Sequence, residues 1–280
     1  MTLAGLYVPL ITPFDASGGV AYDALELLAG QVLDDGAQGL VALGTTGEPG
    51  SLSADEQQGV VDVIAGVCRQ RHAPFVVGAS TTASPPADAQ AVLTLVPPFV
   101  RPGEDGVVAY FSAYARSSPV PVLVYHVPYR TGQPLSAATL RRIAALDNVA
   151  GVKLAAGGID AETVALLADP PPDFAILAGD DAFLWPLLAL GAHGGVLASA
   201  HVETAGFAAV VRAWRDGDVS GARAEGHRLA RLALDLFAAP NPTVLKAVLH
   251  ARGRIPTPAV RLPLVPPPPG AAEVALKSVK

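Results

Sequence analysis

Eight short apolar runs, evenly spaced along the chain, restrict the fold more than any other feature. They are Leu6–Ile11, Gly39–Leu43, Phe75–Gly78, Ala91–Val96, Val120–Val127, Val149–Leu154, Phe174–Ala178 and Gly194–Ala198. Each is nearly continuous in hydrophobicity rather than alternating, which suits parallel strands covered on both faces. Most intervals carry a helical pattern: Tyr22–Asp35, Ala54–Gln70, Gly106–Ser117, Ala137–Ala145, Ala161–Ala168, Ala182–Leu190 and Thr204–Arg215. Ser53-Ala54-Asp55-Glu56 has the capping serine and early acids of a helix start. Eight βα units in 280 residues predict an α/β fold, a (β/α)8 TIM barrel rather than an open sheet. One interval is short. Only residues 80–90 separate the third and fourth runs, and they contain Pro85-Pro86, so the third helix is expected to be short or missing.

After Asp216 the rhythm changes. Val219–Ala238 and Pro242–Arg252 read as two helices with no strand between them. A proline-rich tail follows, with four consecutive prolines at 266–269 that exclude regular helix or a central strand. Residues 271–279 then allow a last short helix. The expected organisation is a catalytic barrel over 1–216 and a C-terminal helical extension over 217–280.

With 51% hydrophobic residues the chain can bury a large core, and α/β barrels of this length form single units. A net charge of −6 argues against nucleic acid as a partner. The single cysteine, Cys68, permits no intrachain disulfide and no cysteine metal cluster, and its helical setting reads as core. No basic segment followed by a long apolar stretch opens the sequence, and no apolar run approaches the roughly 20 residues of a membrane helix. The expectation is a cytoplasmic enzyme with no membrane partner.

Within this frame Lys153 stands out. The chain has four lysines, two of them in its last four residues, against fifteen arginines. Lys153 nevertheless sits inside an apolar strand pattern, Val149-Ala150-Gly151-Val152-Lys153-Leu154. A lysine at a strand end either holds its amine in water or buries it. Burial disfavours the charged form, and a neutral amine is the nucleophile that attacks a ketone to form a Schiff base. Other polar groups fall at strand ends, where barrel active sites lie. Gly44-Thr45-Thr46-Gly47-Glu48 follows the second run and offers two hydroxyls and backbone N–H groups for a small carboxylate. It also reads as an ordinary Gly/Thr turn. Tyr125 ends the fifth run as a proton carrier or a core tyrosine, and Arg130 follows as a carboxylate fork or a surface arginine. Gly179-Asp180-Asp181 ends the seventh, where the acids read as caps of the next helix.

Taken together, Gly44-Thr45-Thr46-Gly47-Glu48, Tyr125-x-Val127-Pro128-x-Arg130-Thr131-Gly132, Gly151-Val152-Lys153 and Gly179-Asp180-Asp181 resemble the dihydrodipicolinate synthase / N-acetylneuraminate lyase family. Thr12-Pro13-Phe14, Leu190-Gly191-Ala192-His193-Gly194, Asn241-Pro242 and Arg261-Leu262-Pro263-Leu264 are also similar to it. The resemblance spans nearly the whole chain and lies closest to the dihydrodipicolinate synthase branch. It implies a class I aldolase-type lyase that holds pyruvate as an imine on Lys153 and joins it to, or releases it from, an aldehyde. By similarity Tyr125 shuttles protons, with Thr45 in its relay. Thr46 binds the pyruvate carboxylate, Val196 adds a backbone contact, and Arg130 takes an acceptor carboxylate. No metal or organic cofactor is implied, and a homo-oligomer, dimer or homotetramer, is.

The sequence departs from the family's pattern in three places. Phe99, in Pro97-Pro98-Phe99-Val100-Arg101-Pro102, stands where the synthases carry a second relay tyrosine that crosses a subunit interface. His126 replaces a usual asparagine, and bulky Tyr129 precedes Arg130. The third βα unit is short by about a helix. His126 and Tyr129 are the nearest replacements in sequence for the missing hydroxyl; otherwise Phe99 lines an apolar wall. Three readings stand: a 4-hydroxy-tetrahydrodipicolinate synthase-like lyase, an aldolase of 2-keto-3-deoxy sugar acids or a related pyruvate aldolase, and a non-catalytic barrel that binds a keto acid.

Overall fold

The fold is that of a computed structural model, which describes residues 3–79 and 84–280. Eight parallel strands close into a barrel in the order β1 to β8. They are β1 (Gly5–Pro9), β2 (Gly39–Ala42), β3 (Phe75–Gly78), β4 (Ala91–Leu95), β5 (Val122–His126), β6 (Val149–Leu154), β7 (Ala175–Ala178) and β8 (Gly194–Val196). The helices are α1 (Tyr22–Asp34), α2 (Ala54–Arg71), α3 (Gly103–Ser117), the one-turn α4 (Pro128–Thr131), α5 (Ala137–Ala144), α6 (Ala161–Ala168), α7 (Leu184–Ala189) and α8 (Thr204–Asp216). The C-terminal segment adds α9 (Val219–Leu236), α10 (Thr243–Ala251) and α11 (Ala271–Lys277). Every expected strand is present, within two residues at its ends. Ser53 opens α2 with a reciprocal capping box to Glu56. The expected gap after β3 partly lies outside the described residues, at 80–83. Among the described residues between β3 and β4 there is no helix.

Side chains alternate across each strand and sort into two buried layers. Tyr7, Val41, Leu93, Leu123, Tyr125, Leu177 and Val196 pack inside the barrel. Val8, Ala42, Val92, Val124, Val152, Leu154 and Ile176 face outward against the helices. Leu229, Leu232 and Leu236 of α9 and Val244, Leu245 and Val248 of α10 join that outer layer. Cys68 is buried there, as expected. Among the described residues no helix is long and apolar enough to cross a membrane.

Candidate active site

Parallel closure brings the C-terminal ends of all eight strands to one mouth. The strand pairing sets Tyr125 of β5 directly beside Lys153 of β6. Both side chains belong to the inner face, and both residues are 6% exposed. The Lys153 Nζ lies 4.4 Å from the centroid of the Tyr125 ring. Gly179 leaves room for the lysine stem: a Cβ there would stand 2.9 Å from Lys153 Cγ.

The two buried lysines are held differently. Lys246 of α10 donates to Glu48 at 2.5 Å and to the Ala259 carbonyl at 2.9 Å, with its Nζ 4.0 Å from the centre of the Phe14 ring. Burial pulls its ammonium down to about 8, against the opposing pull of Glu48. Lys153 forms no ion pair among the described residues. Lys153 acts through its charge on Asp180 and Asp181, drawing both carboxyls down against the effect of burial. Burial pushes the Asp181 carboxyl up to about 6, partly offset by the Ser199 N–H that it accepts. Asp180 is also raised by burial. Asp180 stands at the N-cap position of the short turn Asp181–Phe183, but neither acid's side chain makes the capping hydrogen bond that the sequence suggests. Asp180 instead accepts the Gly157 N–H at 2.7 Å and the Tyr129 hydroxyl at 3.3 Å, tying the loops after β5, β6 and β7 together.

After β2 the chain makes a single tight turn over Thr45–Gly47 and passes Glu48 in the left-handed region, at φ 56°. Four contacts fix this turn. Thr12 Oγ1 donates to the Gly47 carbonyl at 2.7 Å. Glu48 takes Lys246 on one oxygen and the Arg261 N–H on the other, at 2.9 Å. Asn241 Nδ2 donates to Thr46 Oγ1 at 3.0 Å. Thr46 is 4% exposed, whereas Thr45 is exposed on the rim. Among the described residues no hydrogen bond joins Thr45 to Tyr125, so the relay implied by the resemblance is not closed by direct contact.

A cavity of about 600 Å³ opens beside this turn, lined by Thr45, Glu48, Leu95, Arg130, Asn241 and Arg261 among others. Arg130, on α4, has no carboxylate partner among the described residues; its guanidinium stands 5.8 Å from the Tyr129 ring centroid. Val196 lines the barrel interior with Tyr125. Of the expected residues, Thr45 and Arg130 line this cavity, Lys153, Tyr125 and Val196 face the barrel interior on their strands, and Thr46 is buried in the turn after β2. Asn241 and Lys246 were not singled out by sequence reasoning, beyond the Asn241-Pro242 pair that belonged to the resemblance.

The three departures resolve differently. His126 follows Tyr125 on β5, so strand alternation turns it to the outer layer, where it is 4% exposed and acted on by Asp160 at the start of α6. It cannot replace a hydroxyl inside the barrel. Tyr129 is committed to Asp180. Phe99 is 88% exposed with φ 68°, so it lines no wall within this chain.

A closed parallel barrel that keeps an unpaired lysine and a tyrosine side by side within its mouth defines a class I aldolase-type lyase. The chain belongs to the dihydrodipicolinate synthetase family, whose model matches residues 2–270. It is 37% identical to the 4-hydroxy-tetrahydrodipicolinate synthase of Moorella thermoacetica over 265 residues, 91% of this chain and 90% of that one. Its fold superposes on the crystal structure of a dihydrodipicolinate synthase from Bacillus anthracis with a TM-score of 0.89, at 28% identity, covering 99% of this chain and 98% of that one. The chloride-inhibited dihydrodipicolinate synthase of Acinetobacter baumannii, solved with pyruvate, gives 0.90 at 30% identity, covering 99% and 98%.

Proposed function

We propose that this chain condenses pyruvate with an aldehyde that bears a carboxylate, as a 4-hydroxy-tetrahydrodipicolinate synthase-like lyase, through an imine on Lys153. The observation that carries the reading is the contrast between the two buried lysines. Lys246 is neutralised by Glu48, whereas Lys153 has no such partner and stands at the barrel mouth. With no carboxylate in contact to hold it, the Lys153 Nζ stays beside Tyr125 at the strand end, where a substrate carbonyl can reach it.

In this reading Lys153 Nζ attacks C2 of pyruvate and water leaves to give the imine. The imine withdraws electrons, so C3 loses a proton and the resulting enamine attacks the aldehyde carbon. Water then releases the product and regenerates the amine. Tyr125, beside Nζ, carries protons to and from these steps, with Thr45 as its relay partner through solvent at the rim. The Thr46 hydroxyl and the leading N–H groups of the turn take the pyruvate carboxylate. Val196 contributes a backbone contact. Arg130, unpaired in its cavity, takes the acceptor carboxylate in two-point geometry.

Phe99 favours a second reading, an aldolase of 2-keto-3-deoxy sugar acids whose aldehyde is the one such an acid releases with pyruvate, because Phe99 offers no hydroxyl to a relay. Phe99 and Val100, 88% and 75% exposed on one loop, also support assembly as a homo-oligomer, a dimer or tetramer. The working compartment in this proposal is the cytoplasm.

Borohydride reduction with pyruvate tests the mechanism. A reduced pyruvyl adduct is expected on Lys153 alone and is absent in Lys153→Ala. Labelling that persists in that variant, or none in the wild type, overturns the Schiff-base reading. A panel containing aspartate semialdehyde and sugar-acid aldehydes then identifies the acceptor.

A further inference from the structure

We infer that Asn241, which lies between α9 and α10 outside the barrel strands, is a positioning residue for the pyruvate carboxylate and acts through Thr46. The inference deepens the Schiff-base reading and rests on Thr46 as the carboxylate ligand.

A threonine hydroxyl has one proton to donate and two lone pairs to accept with. Asn241 Nδ2 donates to Thr46 Oγ1 at 3.0 Å, across 195 residues of sequence. With one lone pair so filled, the hydroxyl keeps its only proton for another acceptor. Thr46 is buried, so bulk water does not compete for that proton. An amide turned the other way would accept the Thr46 proton instead and strand its own two N–H donors where Oδ1 now sits buried without a partner. The amide thus decides whether Thr46 is a donor or a spent one.

The remaining contacts keep the hydroxyl in place. Thr12 holds Gly47, and Lys246 with the Arg261 N–H holds Glu48. Among the described residues, Asn241 is the side chain that hydrogen-bonds the hydroxyl itself. A charge-assisted hydrogen bond contributes roughly 1.5–3 kcal/mol, so loss of the Thr46 donor corresponds to about a ten- to hundred-fold weaker hold on pyruvate.

The test is a double-variant cycle read by pyruvate alone. Rates of borohydride-trapped imine formation are measured against pyruvate concentration in wild type, Thr46→Val, Thr46→Ser, Asn241→Leu and the two combinations, with melting curves to verify folding. Thr46→Val should raise half-saturating pyruvate about tenfold or more. Asn241→Leu should raise it several-fold with little change in the saturating rate. That effect should persist with Ser at 46, which keeps the hydroxyl, and vanish with Val at 46. An Asn241→Leu effect of equal size on both backgrounds shows mere packing and overturns the inference. So does normal pyruvate saturation in Asn241→Leu while Thr46→Val is impaired, even if acceptor use suffers. Normal saturation in Thr46→Val overturns the carboxylate reading itself, and the inference with it. Asn241→Ala, read in the same way, decides the matter if the leucine variant does not fold.

Discussion

Lys153 and Tyr125 are register partners across the β5–β6 ladder, and the lysine Nζ stands 4.4 Å from the centroid of the tyrosine ring. The ring face packs against the Nζ, and the hydroxyl is a separate function on the same side chain. Tyr125→Phe divides the two. Imine trapping by pyruvate should survive, because the ring remains. Turnover with an aldehyde should fall about 10²–10⁴-fold, the usual contribution of a positioned acid–base group. Unchanged steady-state turnover in the purified variant would remove Tyr125 from the proton path.

Arg130 lines a cavity and forms no ion pair among the described residues, since the carboxylate in that lining, Glu48, is held by Lys246. Arg130→Ala should therefore raise the KM for a carboxylate-bearing acceptor about ten- to a hundred-fold, as a charge-assisted contact implies, and leave pyruvate trapping nearly intact. If both substrates weaken equally, the guanidinium is holding the turn or the pyruvate rather than the acceptor.

Phe99 is placed so that a hydroxyl can be restored without disturbing a core, since it is 88% exposed. Phe99→Tyr should leave stability unchanged. If the missing hydroxyl limits synthase chemistry, condensation of pyruvate with aspartate semialdehyde should rise by one or more orders of magnitude. No gain, with good wild-type activity on a sugar-acid aldehyde, selects the aldolase reading.

The strands were legible in the sequence because a parallel barrel buries both faces of each one, leaving apolar runs that need no register to be seen. Lys153 was legible because such a run is where a charge is most costly. The fate of His126 was not read, although strand alternation alone turns it away from Tyr125. Asn241 was beyond reach for a different reason. Its partner lies 195 residues away, and no local periodicity encodes a contact made when a C-terminal segment folds back over a β2 turn. The same applies to Tyr129 and Asp180, joined 51 residues apart.

Lys246 and Glu48 form a pair whose side chains are 0% and 2% exposed, under the turn that carries Thr46. Removing one partner of such a pair leaves an uncompensated buried charge. Lys246→Met or Glu48→Gln should each cost about 3–5 kcal/mol in urea unfolding, and the double variant should cost clearly less than their sum. A loss below about 1 kcal/mol in either single variant would show that water reaches the pair.

Two histidines should make the fold sensitive to mild acid. His126 is buried with no partner for Nδ1 among the described residues, and burial lowers it from 6.5 to about 4. His201 is fully buried; its Nε2 accepts the Ile11 N–H at 3.2 Å, which requires the neutral ring, and burial lowers it to about 4 as well. Below about pH 6.5 the unfolded chain takes up protons that these folded rings refuse. Their stabilisation is therefore full above that pH and is lost as the pH falls toward 4. Each contributes on the order of 1.4 kcal/mol per pH unit across that window. Asp181 opposes them. Its folded carboxyl titrates at about 6 instead of 3.8, so it gains relative stability over much of the same range. Asp180, also raised by burial, opposes them in the same sense, but the two rings carry the larger shifts, and the melting temperature should fall between pH 7 and pH 4.5. His126→Leu, which leaves no orphaned nitrogen, should flatten that fall, and Asp181→Asn should steepen it. A melting temperature independent of pH over this range would mean that both imidazoles find solvent or a proton acceptor in the folded chain.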